Sequence, residues 1–173
     1  MSLWFRFLDW LQRRFGIGKR AVIPREPVTL RPIGVVRNNV AEPRPDGWET
    51  LRSDVIIRDD LESALDGIDS YSHIIVVFAF DKVPEAEQKL RLQPRSDPRI
   101  PEQGVLATRS QLRPNPVGVS VVRLLRRRRT ILRVEGLDAI DGTPVLDIKP
   151  YYANYDAVPD ASIPDWAQAL RDG

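Results

Sequence analysis

The stretch His73-Ile-Ile-Val-Val-Phe-Ala-Phe80 constrains this chain most. After its histidine it carries no polar side chain, and it is rich in β-branched and aromatic residues. It has the length of a strand and is too short for a core helix. Its uniform apolarity predicts a central strand, buried on both faces. Other strand-like segments surround it: Ile33–Val36, Ser53–Arg58, 117–125, 130–136 and Val145–Ile148. The pair 117–125 and 130–136 reads as a hairpin with Arg126 to Arg129 at its tip. The connections are punctuated by turn residues, as in AEPRPDGWET at 41–50 with Pro43, Pro45 and Asp46-Gly47. Residues 82–103 form a long polar excursion carrying Pro84, Pro94, Pro98 and Pro101. Short helices are expected at Asp60–Leu65, stopped near Gly67, and at Ile163–Leu170. Many short strands joined by Pro-rich turns predict an all-β barrel or sandwich. No glycine-rich GxGxxG follows a strand, so a Rossmann-type nucleotide site is not supported.

Two loops carry the chemistry. Thr108 to Gly118 reads TRSQLRPNPVG. Pro114 and Pro116 fix two φ angles, remove two backbone donors, and hold Arg113 and Asn115 extended. A stiff polar loop of this kind loses little entropy when it binds. Gly136 to Tyr151 reads GLDAIDGTPVLDIKPY and places Asp138 and Asp141 three residues apart before an Asp-Gly-Thr-Pro turn. Taken alone, such an aspartate pair is ordinarily a turn whose carboxylates cap backbone donors.

Together these loops resemble the TsaA-like family, also called the TrmO family, of S-adenosylmethionine-dependent methyltransferases that act on N6-threonylcarbamoyladenosine beside the tRNA anticodon. The resembling segments are PIGVVRN near residue 32, YSHIIVVFAF, GVLATRSQLRPNPVGVSVVRLL and VEGLDAIDGTPVLDIKPY. The resemblance implies a small, dimeric β-barrel that binds S-adenosyl-L-methionine and methylates tRNA carrying N6-threonylcarbamoyladenosine at position 37. It further implies cofactor contacts at Gly47, Arg109, Val119, Asp138, Ala139, Ile140 and Asp141. Such a cofactor wants a carboxylate for its amine or ribose hydroxyls, a cation for its carboxylate, and close backbone approach to its adenine. Asp138 and Asp141, Arg109, and the Gly136–Gly142 loop meet these needs in turn.

The acceptor nitrogen of a carbamoylated adenine is a poor nucleophile, so a base that removes its proton is expected to help. Asp138 and Asp141 are the candidate catalytic residues; His73, at the start of the most apolar strand, reads better as a core histidine. Arg113 and Asn115 read as loop braces as readily as ligands. Two places depart from the family pattern. Phe80-Asp81-Lys82 stands where Phe-His and a nearby Gln are usual, and Pro45-Asp46-Gly47 stands where Gln-Pro-Gly is common. They keep two alternatives open: a barrel with the same cofactor and a different acceptor, and a non-catalytic cofactor-binding or membrane-tethered module.

Charge and composition bound the rest. The net charge is +2, and residues 1–20 hold five basic residues against one acid, leaving the remainder slightly acidic. RNA contact must therefore come from local patches. The cluster Arg126, Arg127, Arg128 and Arg129 is the expected RNA-binding patch. Absence of cysteine and a single histidine predict no metal site. In residues 1–20, Trp4, Phe7, Leu8, Leu11 and Phe15 recur at helical spacing, which predicts an amphipathic helix. Packing on the body or on a second subunit is the favoured reading of that stripe, ahead of an interfacial membrane contact. The expected organisation is a helical extension at 1–20, a linker at 21–31, a TsaA-like barrel at 32–157 and a tail at 158–173. With no signal peptide pattern and no long apolar run, the expected location is cytoplasmic.

Overall fold

The structure is a computed structural model that describes residues 26–172; the expected amino-terminal helix and residues 21–25 of the linker lie outside the described residues. Six strands close a barrel in the order β1-β2-β7-β6-β3-β8, with every pairing antiparallel. They are β1 (Gly34–Arg37), β2 (Arg52–Ile57), β3 (His73–Ala79), β6 (Val117–Arg128), β7 (Ile131–Glu135) and β8 (Pro144–Pro150). Closure removes the exposed edges an open sheet would leave. The expected short helix appears as a 3-10 segment, Asp59–Leu65, followed by Gly67 at φ 84°. The excursion at 82–103 contains 3-10 turns and a two-stranded ribbon of β4 (Arg91–Leu92) and β5 (Gln103–Gly104). Helices α1 (Ala153–Asp156) and α2 (Asp165–Asp172) follow the barrel.

Strict alternation builds the core. Val55 and Ile57, Ile74, Val76 and Phe78, Val122, and Leu132 and Val134 point inward and are essentially inaccessible. Each such side chain contributes roughly 1.5–3 kcal/mol on burial. The reading of β3 as buried on both faces is corrected here: Ile74, Val76 and Phe78 face the core, whereas Ile75 and Val77 lie half-buried on the outer wall. A barrel has only one interior, so a uniformly apolar strand still shows one face outward.

The hairpin is also longer than expected. Strand β6 runs to Arg128, so Arg126 to Arg128 lie within it and the turn is confined to Arg129 and Thr130. Its first half pairs with β3 and its second half with β7, with a register shift between Leu124 and Arg126. This division leaves one edge of residues 117–122 without a strand partner.

Gly118 explains the glycine that follows the Pro-Asn-Pro clip. Phe78 and Phe80 pack edge to face at 5.3 Å over this position. A Cβ on Gly118 would lie 2.4 Å from the Phe78 ring and 2.9 Å from that of Phe80. Gly118→Ala is expected to lower stability by about 1–3 kcal/mol through overpacking. Urea denaturation measures this as a lower midpoint at unchanged m-value.

Among the described residues no helix is long and apolar enough to cross a membrane. No cluster of three or more His, Cys, Asp or Glu there is arranged to hold a metal ion.

Candidate functional site

The two sequence loops meet at the unpartnered edge of β6. The Phe80 N–H donates to the Pro116 carbonyl and the Leu124 N–H to that of Ser72, which brackets the β3–β6 ladder. Antiparallel hydrogen bonding alternates, so the even-numbered residues of β6 bond to β3 and the odd-numbered ones point the other way. Val119 and Val121 therefore aim their N–H and C=O groups at the side where β7 has not yet begun to pair. Arg109 reaches this edge and donates from its guanidinium to the Val119 carbonyl at 2.5 Å. On the adjacent residue, Ser120 Oγ donates to Asp138 Oδ1. A guanidinium, a carboxylate and an open strand edge are thus gathered around Val119–Ser120.

Local bonds hold the first loop in shape. Arg113 donates to the carbonyls of Ser110 at 2.9 Å and Thr108. Ser110 and Leu112 donate backbone N–H bonds to the hydroxyls of Thr108 and Ser110. Arg113 is therefore a brace, and Arg109 is the arginine of this loop that reaches across to the barrel.

The second loop is tied to the end of β1. Asp141 accepts from the Asn38 N–H at 3.0 Å and from Arg37 at 3.1 Å, while its own N–H donates to the Val40 carbonyl. Asn38 donates its side-chain amide to the Ala139 carbonyl at 2.9 Å and to the buried Ser53 hydroxyl at 3.0 Å. These bonds fix the backbone at Ala139 and Ile140 and so the direction of Asp138. Asn38→Ala leaves the Ser53 hydroxyl and the Ala139 carbonyl without this donor, a loss of about 1–3 kcal/mol. The expected result is a lower thermal midpoint together with faster amide exchange at residues 138–142.

Beside this brace lies a cleft of about 690 Å³ whose lining includes Arg37, Asn38, Arg44, Gly47, Arg52 and Arg133. Gly47 has φ 76°, and its carbonyl accepts from Arg44, whose guanidinium also stacks 4.8 Å over Trp48.

Of the residues read from sequence, Arg109, Val119 and Asp138 come together at the β6 edge. Ala139, Ile140 and Asp141 form the connection to the cleft, and Gly47 lies in the cleft itself. Asp81 and Lys82 are exposed in the turn after β3. His73 stands at the opposite end of β3 from Phe80, bonded through Nδ1 to Ser72 Oγ at 2.9 Å and packed against Tyr151. It faces outward and is half-buried, which corrects its reading as a core histidine. Ser120 and Asn38 were missed. The signal for Ser120 is a small polar residue at an inward position of Val-Gly-Val-Ser-Val-Val; nothing local marks Asn38, whose role depends on contacts about a hundred positions away.

The arginine cluster does not stay together. Arg127 is largely covered and donates to the carbonyls of Leu65 at 2.9 Å and Glu62 at 3.2 Å, with Asp66 and Asp69 beside it. Arg129 pairs with Glu62. Both close the far end of the barrel over the 3-10 segment. Arg126 and Arg128 face solvent on the outer wall.

The profile of the tRNA-methyltransferase O N-terminal domain matches residues 37–157. An S-adenosyl-L-methionine-binding protein of Archaeoglobus fulgidus is 40% identical over 133 residues, which cover 75% of this chain and 93% of that protein. The tRNA (adenine(37)-N6)-methyltransferase of Escherichia coli is 40% identical over 106 residues, covering 57% of this chain and 44% of the enzyme. A crystal structure of TrmO from Pseudomonas aeruginosa superposes with a TM-score of 0.67 at 31% identity, covering 83% of this chain and 63% of that one. Among the archaeal relatives, the share of the relative's own length that the chain spans runs from 37% to 95%.

Proposed function

The chain belongs to the family of the tRNA-methyltransferase O N-terminal domain, and from that premise we propose that it binds S-adenosyl-L-methionine at the β6 edge and methylates N6 of adenosine 37 in tRNA carrying N6-threonylcarbamoyladenosine. The observation that carries this reading is the convergence of Arg109 and Asp138 on Val119–Ser120. The residues fit the cofactor. The N–H of Val119 and the N–H and C=O of Val121 face the open side and would read the donor and acceptor edge of an adenine, as a further strand would, while the Val119 carbonyl is held by Arg109. Arg109 is a cation for an amino-acid carboxylate, and the second oxygen of Asp138 is available to an ammonium or hydroxyl. When bound, the cofactor supplies an activated methyl group on a sulfonium.

The protein's part is then alignment and proton removal. The stiff Pro114–Pro116 clip and the Asn38–Asp141 brace hold the two sides of the site in register, so alignment of methyl and nitrogen is prepaid. Asp138, an exposed carboxylate oriented by Ser120, takes the proton of the acceptor nitrogen as the methyl transfers. Asp141 already accepts from Asn38 and Arg37, and its contribution is to hold the loop that carries Asp138. Asp81 and Lys82, exposed beside the Pro116 contact of Phe80, are our candidates for meeting the acceptor.

The test is transfer of labelled methyl to two tRNA preparations, one bearing the threonylcarbamoyl group and one lacking it. Label confined to the first, in the nucleoside at position 37, is the expected result. Equal labelling of both would remove the proposed acceptor, and no labelling with cofactor still bound would remove methylation of this tRNA.

A further inference from the structure

The outer wall of β2, β7 and β6 carries a second feature. Register places Arg52, Glu135 and Arg123 in one cross-strand row, and Asp54, Arg133 and Arg126 in the next, with Arg128 opposite Ile131 beyond. Neighbouring strands lie roughly 4.8 Å apart, so these side chains form one continuous surface. Its two carboxylates are already engaged. Asp54 accepts both arms of Arg133 at 2.7 Å, and Glu135 accepts from Arg52 at 3.2 Å. The Arg133 hydrogen bond holds the Asp54 carboxyl below the usual carboxylate range, against the opposing effect of partial burial. The pair therefore stays ionised at neutral pH. Arg123, Arg126 and Arg128 are exposed and make no hydrogen bond or ion pair with any described residue. Arg126 stands directly opposite Arg133, and its charge also acts on Asp54, so one carboxylate serves two guanidinium groups and the row keeps a net positive charge.

We propose that this wall is the docking surface for the phosphate backbone of the tRNA, with Arg123, Arg126 and Arg128 as its phosphate contacts. Asp54 and Glu135 are positioning residues that engage Arg133 and Arg52 across the sheet. The placement suits the work: Arg52, Asp54 and Arg133 line the cleft, and Glu135 leads directly into the loop bearing Asp138. Phosphates held on the wall leave a nucleoside free to enter at the β6 edge. The identity of the RNA rests on the function proposed above, whereas recognition of phosphates by the wall does not. Arg127 and Arg129, held by Glu62 and its neighbours, take no part.

The test compares the full chain with the triple variant Arg123→Gln, Arg126→Gln, Arg128→Gln, reading tRNA binding by fluorescence anisotropy across a salt series. Each lost phosphate contact removes about 0.7–0.9 from the slope of log affinity against log salt, so the slope falls by about 2–3 and affinity at low salt by about tenfold or more. Arg→Lys at the same three positions keeps the slope. Cofactor affinity is unchanged, and KM for tRNA rises with kcat retained. A control variant on the excursion, Arg91→Gln with Arg99→Gln, keeps the slope of the unaltered protein. A wild-type slope in the triple variant, or the same loss in the control, would overturn the proposal. The failures separate cleanly: steep salt dependence lost in the triple variant, without methyl transfer by the unaltered chain, removes the enzyme and leaves the wall. Methyl transfer with equal KM in both proteins removes the wall and leaves the enzyme.

Discussion

Asp138→Asn is expected to lower the proposed methyl transfer by about 10²–10⁴-fold, the range for loss of a positioned general base. The substitution keeps the size of the side chain, and its amide oxygen still accepts from Ser120, so the loop conformation survives. What disappears is the charge and the ability to take a proton. Because Asp138 is exposed, the thermal midpoint should move little, and a fall in rate is then not a fall in folded protein. Single-turnover rates separate its two roles. Lost cofactor binding appears as a higher concentration for half-saturation, and lost proton removal as a lower plateau. Asp141→Asn has a different signature: the Arg37 ion pair weakens and the brace loosens, so stability and cofactor affinity decline together.

Arg109→Ala is expected to weaken cofactor binding by about 10–100-fold, the effect of removing a hydrogen-bonding cation from a carboxylate partner. The side chain spans from the Pro-rich loop to the Val119 carbonyl, so its loss also frees that loop from the β6 edge. Arg109→Lys restores the charge but not the planar fork, and recovers only part of the affinity. Calorimetric titration of the cofactor into both variants measures the effect. Arg113→Ala should instead act on loop order, because both of its bonds run to carbonyls of its own loop.

The barrel was legible because its signals are local. The short β-rich segments, the apolar run of β3 and the turn residues between them depend on neighbouring positions only. The strand order was not, since nothing in Gly34–Arg37 states that it pairs with both β2 and β8. The arginine cluster shows where local reading stops. Four consecutive identical charges look alike in sequence, yet the register shift between Leu124 and Arg126 and the turn at Arg129 send them to different partners. Arg127 covers the barrel end, Arg129 meets Glu62, and Arg126 and Arg128 join a wall completed by residues from β2 and β7. In the site, the resemblance pointed to Arg109, Val119 and Asp138 together. The reason they meet is a single-strand event: β7 pairs with β6 only from Arg123 onward, so the edge of residues 117–122 that faces away from β3 stays open. Asn38 and Ser120, which orient the loop and its carboxylate, have no local pattern to betray them.

The central claim is that this open edge is where the cofactor sits. Titrating S-adenosyl-L-methionine into isotopically labelled protein and following backbone amide resonances tests it most directly. Saturable shifts are expected at the amides of Val119 and Val121 and at residues 138–140, with those at 119 and 121 weakened in step with affinity by Arg109→Ala. Unmoved resonances at Val119 and Val121, with saturable shifts confined to Asn38, Gly47 and their neighbours in the cleft, would contradict it and place the cofactor on the other side of the Asn38–Asp141 brace.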